Sequence, residues 1–148
     1  LGSQFMKIEA DNPFGVVDAW MEKIKQAGCD AIFLEMHAET TSEKVAMGWK
    51  MDGSVAAVLG THTHIPTADG RILPGGTAYQ TDAGMTGPYE SVIGRETEPI
   101  LARFRDGMPR RFEVATGDVR LCGARFAIDP QNGRCSHFER LEIRLEDL

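Results

Sequence analysis

The chain has 148 residues, 42% of them hydrophobic and 26% charged, which is the composition of an ordinary globular protein with one core. Its formal net charge of −6 argues against an extended nucleic-acid surface, which needs a basic stripe, but not against a small nucleotide held at a metal ion. No apolar run approaches the roughly 18 residues of a membrane span, and three widely spaced cysteines favour a reducing, cytoplasmic setting over a disulfide framework.

The first part of the chain predicts alternating helices and strands. A helix, a buried strand, a second helix and a second buried strand are expected over residues 11–28, 29–36, 40–51 and 54–59. Asp11 or Asn12 can cap the first helix and Gly28 can end it, while Thr40 and Glu43 have the spacing of a capping box for the second. A strand, a helix and a strand over this length form a βαβ unit with parallel strands.

The second part of the chain predicts shorter strands and turns. The expected order is a strand over 77–81, a glycine-rich loop over 82–88, a helix over 95–105 and antiparallel strands over 111–115, 119–128 and 137–145. The chain is therefore expected to be a single α/β unit over residues 1–148, with the βαβ unit first and antiparallel hairpins last.

Three of the four histidines follow the two predicted strands of the βαβ unit. His37 comes after the first strand, and His62 and His64 lie in Gly60-Thr-His-Thr-His64, after the second. In open α/β sheets ligands bind outside the C-terminal ends of the strands, so these imidazoles are expected to lie there. Imidazole suits several transition metals, and three histidines could hold one ion with a position open for water. The alternative is that His62 and His64 are surface histidines in a polar loop. His137, in the terminal hairpin region, is expected to be a plain surface residue.

Other polar groups flank this predicted metal site. Glu35 shares a strand face with His37 and could orient it, or could be a buried carboxylate near a helix N-terminus. Asp82 ends a predicted strand, so it could contact the metal or orient a ligand. The loop containing Gly84, Thr86 and Gly87 offers backbone N–H groups that could bind a phosphate, although a glycine-rich turn without that role fits equally well.

Three stretches, in order along the chain, resemble the YmdB-like family of bacterial metallophosphoesterases. They are His37-Ala-Glu-Thr-Thr-Ser-Glu-Lys44, Gly60-Thr-His-Thr-His64 and Thr81-Asp-Ala-Gly-Met-Thr-Gly-Pro88, and the likeness spans roughly residues 1–107. The resemblance implies an αββα sandwich and two divalent metal ions, iron or manganese first and zinc next. It also implies hydrolysis of cyclic phosphodiesters, such as 2′,3′-cyclic nucleotides or RNA ends. His37 and His62 would bind one ion and His64 the other.

The motifs that this family carries in its N-terminal half do not occur in the sequence. There is no Gly-Glu-Asn, which supplies a bridging carboxylate, and no Gly-Asn-His, which supplies an Asn ligand and the expected proton donor. No catalytic residue is therefore assigned, and the chain is expected to be the C-terminal portion of a longer enzyme, with about half of the dinuclear site and no activity by itself. The rival interpretations are a different metallohydrolase, such as a barrel amidohydrolase, and a non-catalytic metal- or nucleotide-binding module. The sequence leaves room for a homo-oligomer.

Overall fold

Helices and strands alternate in the first part of the computed structural model, which describes Met6 and residues 10–147. In chain order the elements are α1 (Pro13–Gln26), β1 (Phe33–His37), α2 (Thr41–Met51), β2 (Ala57–Thr61), β3 (Arg71–Ile72), β4 (Ala78–Gln80), β5 (Thr86–Glu90), α3 (Thr97–Asp106), β6 (Gly117–Ile128), β7 (Cys135–Arg144) and a 3-10 turn (Leu145–Asp147). The predicted α/β class, with the βαβ unit first and antiparallel strands last, is confirmed.

The first sheet has the strand order β1-β2-β4-β3. β2 pairs in parallel with β1 on one side and with β4 on the other, and β3 is antiparallel to β4. β2 is buried along nearly its whole length, which explains why its sequence is a continuous apolar run rather than an alternating one. Because β1, β2 and β4 are parallel, the residues that follow them meet at one edge of the sheet.

One helix, α1, precedes β1, and another, α2, follows it. Asn12 caps α1, since its Oδ1 accepts a hydrogen bond from the backbone N–H of Phe14 at 2.9 Å, and Gly28 follows the helix with φ of 74°. The predicted capping box of α2 is formed differently, because the Thr40 hydroxyl donates to Glu43 Oε2 at 2.7 Å instead of accepting from the backbone. None of the helices in the described part of the chain is long and apolar enough to cross a bilayer.

The main core lies between α1, α2 and the first sheet. Its buried side chains include Val17 and Met21 of α1, Leu34 and Met36 of β1, Met47 and Met51 of α2, and Val58 and Tyr79 of the sheet. Beside this core, an apolar groove of about 340 Å³ runs between α1 and β1. Trp20 and Phe33 line the groove and are each more than half exposed. One side of the β1 edge is therefore apolar and open.

The second sheet corrects two predictions. The sequence predicts a loop over residues 82–88, but Thr86–Glu90 form β5, which pairs antiparallel with β6, and β6 pairs with β7. It also predicts a strand over residues 111–115, but only Val114 makes an isolated bridge, to Arg95. The alternating pattern there is not a strand because no neighbouring strand in the described part of the chain accepts its backbone hydrogen bonds, and Val114 stays 60% exposed.

Candidate metal centre

Two of the predicted ligands meet at the C-terminal ends of β1 and β2. In the parallel pairing His37 lies opposite Thr61, so His62 is the first residue beyond the paired segment. Nε2 of His37 and Nδ1 of His62 are 3.1 Å apart, and the two rings are nearly perpendicular, with centroids 4.9 Å apart. The register of the sheet thus brings these two imidazoles together.

The hydrogen bonds of Thr61 fix the tautomer of His37. The Thr61 hydroxyl donates its one proton to Glu35 Oε1 at 2.8 Å, so at 2.9 Å from His37 Nδ1 it can only accept. His37 therefore carries a proton on Nδ1, and in the neutral ring the lone pair is on Nε2, which faces His62. Glu35 acts on His37 through Thr61, which is consistent with the orienting role predicted for it.

A second carboxylate fixes the tautomer of His62. Nε2 of His62 lies 2.6 Å from Glu39 Oε2, and because a carboxylate only accepts, this nitrogen carries the proton. In the neutral ring the lone pair is then on Nδ1, which faces His37. Two lone pairs at 3.1 Å repel each other unless a proton or a metal ion lies between them. The separation fits a hydrogen bond from a protonated His62, and it is also close to that of two nitrogens bound to one metal ion at about 2.0–2.1 Å. The pair fits a metal ion whose histidine ligands are each backed by a carboxylate.

His64 does not join this pair. Its Nδ1 donates to the backbone carbonyl of Ile93 at 3.1 Å, which leaves the lone pair on Nε2. Across Met6 and residues 10–147, no three His, Cys, Asp or Glu side chains are close enough to hold one ion. The three-histidine site that the spacing allowed is therefore not formed, and a separate ion at His64 stays a prediction. His137 is exposed, near Glu139, as expected of a surface residue.

The loop that carries His62 and His64 has a strained backbone. Both histidines have positive φ, 102° and 67°, a conformation that costs non-glycine residues about 1–3 kcal/mol each. Thr63 between them is held by Asp82, whose Oδ2 accepts from the Thr63 backbone N–H at 3.0 Å and from the Thr63 hydroxyl at 2.7 Å. Asp82 thus holds the loop that carries His62 and His64, and its predicted role at a metal ion stays a prediction.

The partner of Asp82 is Lys44, which the sequence does not mark as a site residue. Its Nζ lies 2.8 Å from Asp82 Oδ2, and neither side chain is more than 1% exposed. Burial alone would raise the pKa of Asp82. Hydrogen bonds from Lys44 and Thr63 lower it by more than burial raises it, so the net pKa lies below the ordinary 3.8. A lysine within a polar helix usually indicates a surface charge. Gly60 leaves room for this lysine, because a Cβ there would lie 2.6 Å from Lys44 Cδ.

The predicted phosphate-binding loop already uses part of its backbone. The N–H of Gly84 donates to Asp82 Oδ1 at 2.9 Å, and the N–H of Met85 donates to the Tyr89 hydroxyl at 3.3 Å. Thr86 and Gly87 belong to β5 and lie opposite Leu121 and Arg120 of β6. Substrate binding by Gly84, Thr86 and Gly87 stays a prediction, and at Gly84 it would require an existing hydrogen bond to be exchanged.

Solved structures share the fold of this chain. A crystal structure from Mycoplasma pneumoniae described as a novel phosphatase superposes with a TM-score of 0.87 and 39% identity, covering 94% of this chain and 49% of that one. A hypothetical protein from Thermus thermophilus superposes with a TM-score of 0.85 and 44% identity, covering 95% of this chain and 53% of that one.

The chain belongs to the YmdB-like protein family, which matches residues 1–141, as its motifs predicted. The 2′,3′-cyclic-nucleotide 2′-phosphodiesterase of Bacillus subtilis (strain 168) is 49% identical to it over 135 residues. That alignment covers 90% of this chain and 50% of the Bacillus protein. The chain thus spans about half the length of this relative.

Proposed function

We propose that the protein containing this chain hydrolyses cyclic phosphodiesters, 2′,3′-cyclic nucleotides first among them, with two divalent metal ions. Iron or manganese is expected, with zinc next. Nε2 of His37 and Nδ1 of His62 would hold one ion, and His64 the other. The proposal is carried by the two ring nitrogens that face each other at 3.1 Å while the outer ring nitrogens are bound to Thr61 and Glu39.

The charges around the histidine pair support a cation rather than a bare phosphate. Glu39 contacts His62 directly and Glu35 contacts His37 through Thr61, so two carboxylates lie behind the imidazoles. A phosphodiester is an anion and would be repelled by this arrangement. Bound divalent ions would supply positive charge for the phosphate oxygens and a water of lowered pKa. The part of the two carboxylates is to hold each imidazole in the tautomer that keeps its lone pair free.

We further propose that this chain carries about half of the dinuclear site and does not hydrolyse substrate by itself. Two observations support this. The part of the chain described here brings together only two ligands, and the Bacillus phosphodiesterase is about twice as long as the region it shares with this chain. The remaining ligands and the proton donor would come from outside residues 10–147. If none does, the same two-ligand geometry favours a second candidate, a non-catalytic metal-binding or regulatory unit.

Metal content and hydrolysis measured on the same samples test the proposal. The samples are the 148-residue chain and a longer protein containing it, each of verified intact mass, analysed for bound metal and assayed on 2′,3′-cyclic AMP with Mn²⁺. We expect close to two ions and activity in the longer protein, and little of either in the 148-residue chain. His37→Ala in the longer protein should abolish activity, while His137→Ala at an exposed position should not.

Three results would contradict it. A longer protein that binds no metal, or a His37→Ala variant as active as His137→Ala, would overturn the metal-dependent mechanism. Full activity in the 148-residue chain would overturn only the half-site proposal.

A further inference from the structure

The residue between His62 and His64 is held from the interior of the protein. We propose that Lys44, Asp82 and Thr63 form a clamp that positions the ligand loop, so that the clamp determines how His62 faces His37 and how tightly the metal ion binds. This inference rests on the proposed function. It assigns a positioning role to Lys44 and Thr63, neither of which contacts the facing nitrogens.

The contacts of Asp82 explain why the clamp acts on loop orientation. Asp82 binds Thr63 through both the backbone N–H and the hydroxyl, at 3.0 and 2.7 Å, so that Thr63 can neither rotate nor move away without losing a bond. The residues on either side have positive φ, a region that L-residues occupy only when the surroundings enforce it. Release of Thr63 would let both histidines relax to ordinary backbone angles, and His62 would then turn away from His37.

The clamp is anchored in the core. Lys44 lies on α2, which Met47 and Met51 pack into the main core, and its ammonium group reaches Asp82 Oδ2 at 2.8 Å. The backbone of Asp82 is fixed as well, because its N–H donates to the Thr67 hydroxyl at 2.9 Å. The position of the ligand loop is thus set relative to α2 and the sheet rather than by the exposed loop itself.

The contacts of Asp82 are directed mainly at Lys44 and the loop. Oδ2 accepts from Lys44 Nζ and twice from Thr63, and Oδ1 accepts from the backbone N–H of Gly84. A carboxylate oxygen has about two lone pairs, so Oδ2 is fully used and Oδ1 keeps one. The oxygen that holds Thr63 is therefore committed to the clamp, and the clamp does not depend on whether Oδ1 contacts an ion.

The test compares Thr63→Val with two controls in the longer protein that contains this chain, which is the parent of every variant. Valine keeps the branched shape and the backbone N–H of Thr63 but removes the hydroxyl bond to Asp82, whereas Thr63→Ser retains that bond. Thr77→Val is the matched control. It also removes a buried hydroxyl, which donates to the Val55 carbonyl at 2.7 Å, but Thr77 precedes β4 and lies at the opposite end of that strand from Asp82. Asp82→Asn is a second variant that weakens the clamp, in case Thr63→Val does not fold.

Two properties of each variant are measured. The first is the dissociation constant for Mn²⁺ by calorimetry, and the second is the nuclear Overhauser effect between the His37 and His62 rings in metal-free protein. We expect Thr63→Val to bind Mn²⁺ about 10–100-fold more weakly and to lose the ring contact. Thr63→Ser should retain both properties. Thr77→Val should melt at a lower temperature with the affinity and the ring contact unchanged.

The outcomes separate the clamp from the proposed function. If the parent binds Mn²⁺ and Thr63→Val retains both affinity and ring contact, the clamp is wrong and the proposed function stands. If the parent binds no Mn²⁺, the proposed function is wrong, and the ring contact alone decides on the clamp. Loss of the contact in Thr63→Val then supports positioning of the loop, and its persistence overturns it.

Discussion

Gly60→Ala should strongly destabilise the protein, because the added methyl group has no space. A Cβ at Gly60 would lie 1.7 Å from the backbone oxygen of Thr81 and 2.6 Å from Lys44 Cδ, whereas real Cβ contacts are essentially never below 3.0 Å. Lysine carbons can shift, but the Thr81 oxygen belongs to the backbone that follows β4. Relief of the clash therefore requires the ends of β2 and β4 to separate.

The size of the effect follows from the nature of this clash. Overpacking of a core typically costs about 1–3 kcal/mol, and an overlap with backbone places Gly60→Ala at the upper end, about 3 kcal/mol. For a domain of about 150 residues, each kcal/mol lowers the melting temperature by about 2–4 °C, so a decrease of about 6–12 °C is expected. Because Thr61 and His62 follow directly, the affinity for Mn²⁺ should decrease as well.

Thermal unfolding followed by circular dichroism tests this prediction, with Gly123→Ala as the control. Gly123 lies in β6, and a Cβ there would meet nothing within 4 Å. Its replacement should leave the stability unchanged or raise it by about 0.5–1 kcal/mol, because glycine is unfavourable within a strand. If Gly60→Ala melts at the temperature of the parent, the close approach of β2 to Thr81 is wrong.

Three further predictions concern the groups around the site. Lys44→Met should leave the carboxylate of Asp82 buried without its cation and lower the free energy of unfolding in urea by about 3–5 kcal/mol. The control Lys50→Met removes a partly exposed pair with Asp18 and should lower it by at most about 1 kcal/mol. Equal losses would contradict the buried pair. Thr61→Val should break the connection from Glu35 to His37 and weaken Mn²⁺ binding by about 10–100-fold in calorimetry, and an unchanged affinity would refute the assigned tautomer. Burial raises the pKa of Asp69, but hydrogen bonds from Thr67 and Thr81 outweigh burial, and the net pKa lies below 3.8. The stability that this shift contributes is present above pH 3.8 and is lost as the pH falls through the pKa of the folded state. Asp69→Asn should therefore flatten the acid limb of the stability–pH curve, and an acid limb as steep as that of the parent would contradict this.

The βαβ unit and the meeting of His37 with His62 could be predicted because they depend on short-range patterns. Each strand of the unit is a short apolar run followed by polar residues, and parallel pairing brings the ends of such strands to one edge. β5 could not be predicted in this way. It pairs with β6, far along the chain, and its own sequence, Thr-Gly-Pro-Tyr-Glu, contains the glycine and proline that are typical of a loop.

The buried pair of Lys44 and Asp82 could not be predicted for a related reason. Charged residues are rarely buried unless they are paired, so a pattern of neighbours along α2 indicates an exposed lysine. Its partner lies 38 residues away, and only the folded sheet brings the two together. The left-handed backbone at His62 and His64 has the same origin, since it depends on Asp82 holding the residue between them.

The apolar groove beside β1 also affects how the protein behaves at high concentration. β1 is an outer strand of the first sheet and pairs only with β2 among the residues described, so its second edge offers unpaired backbone groups. Such an edge can template the addition of a strand from another molecule, and the exposed Trp20 and Phe33 beside it make that contact favourable. Wherever this surface is uncovered, aggregation is expected to begin at β1, where Glu35 is the one charged side chain among the described residues that line the groove.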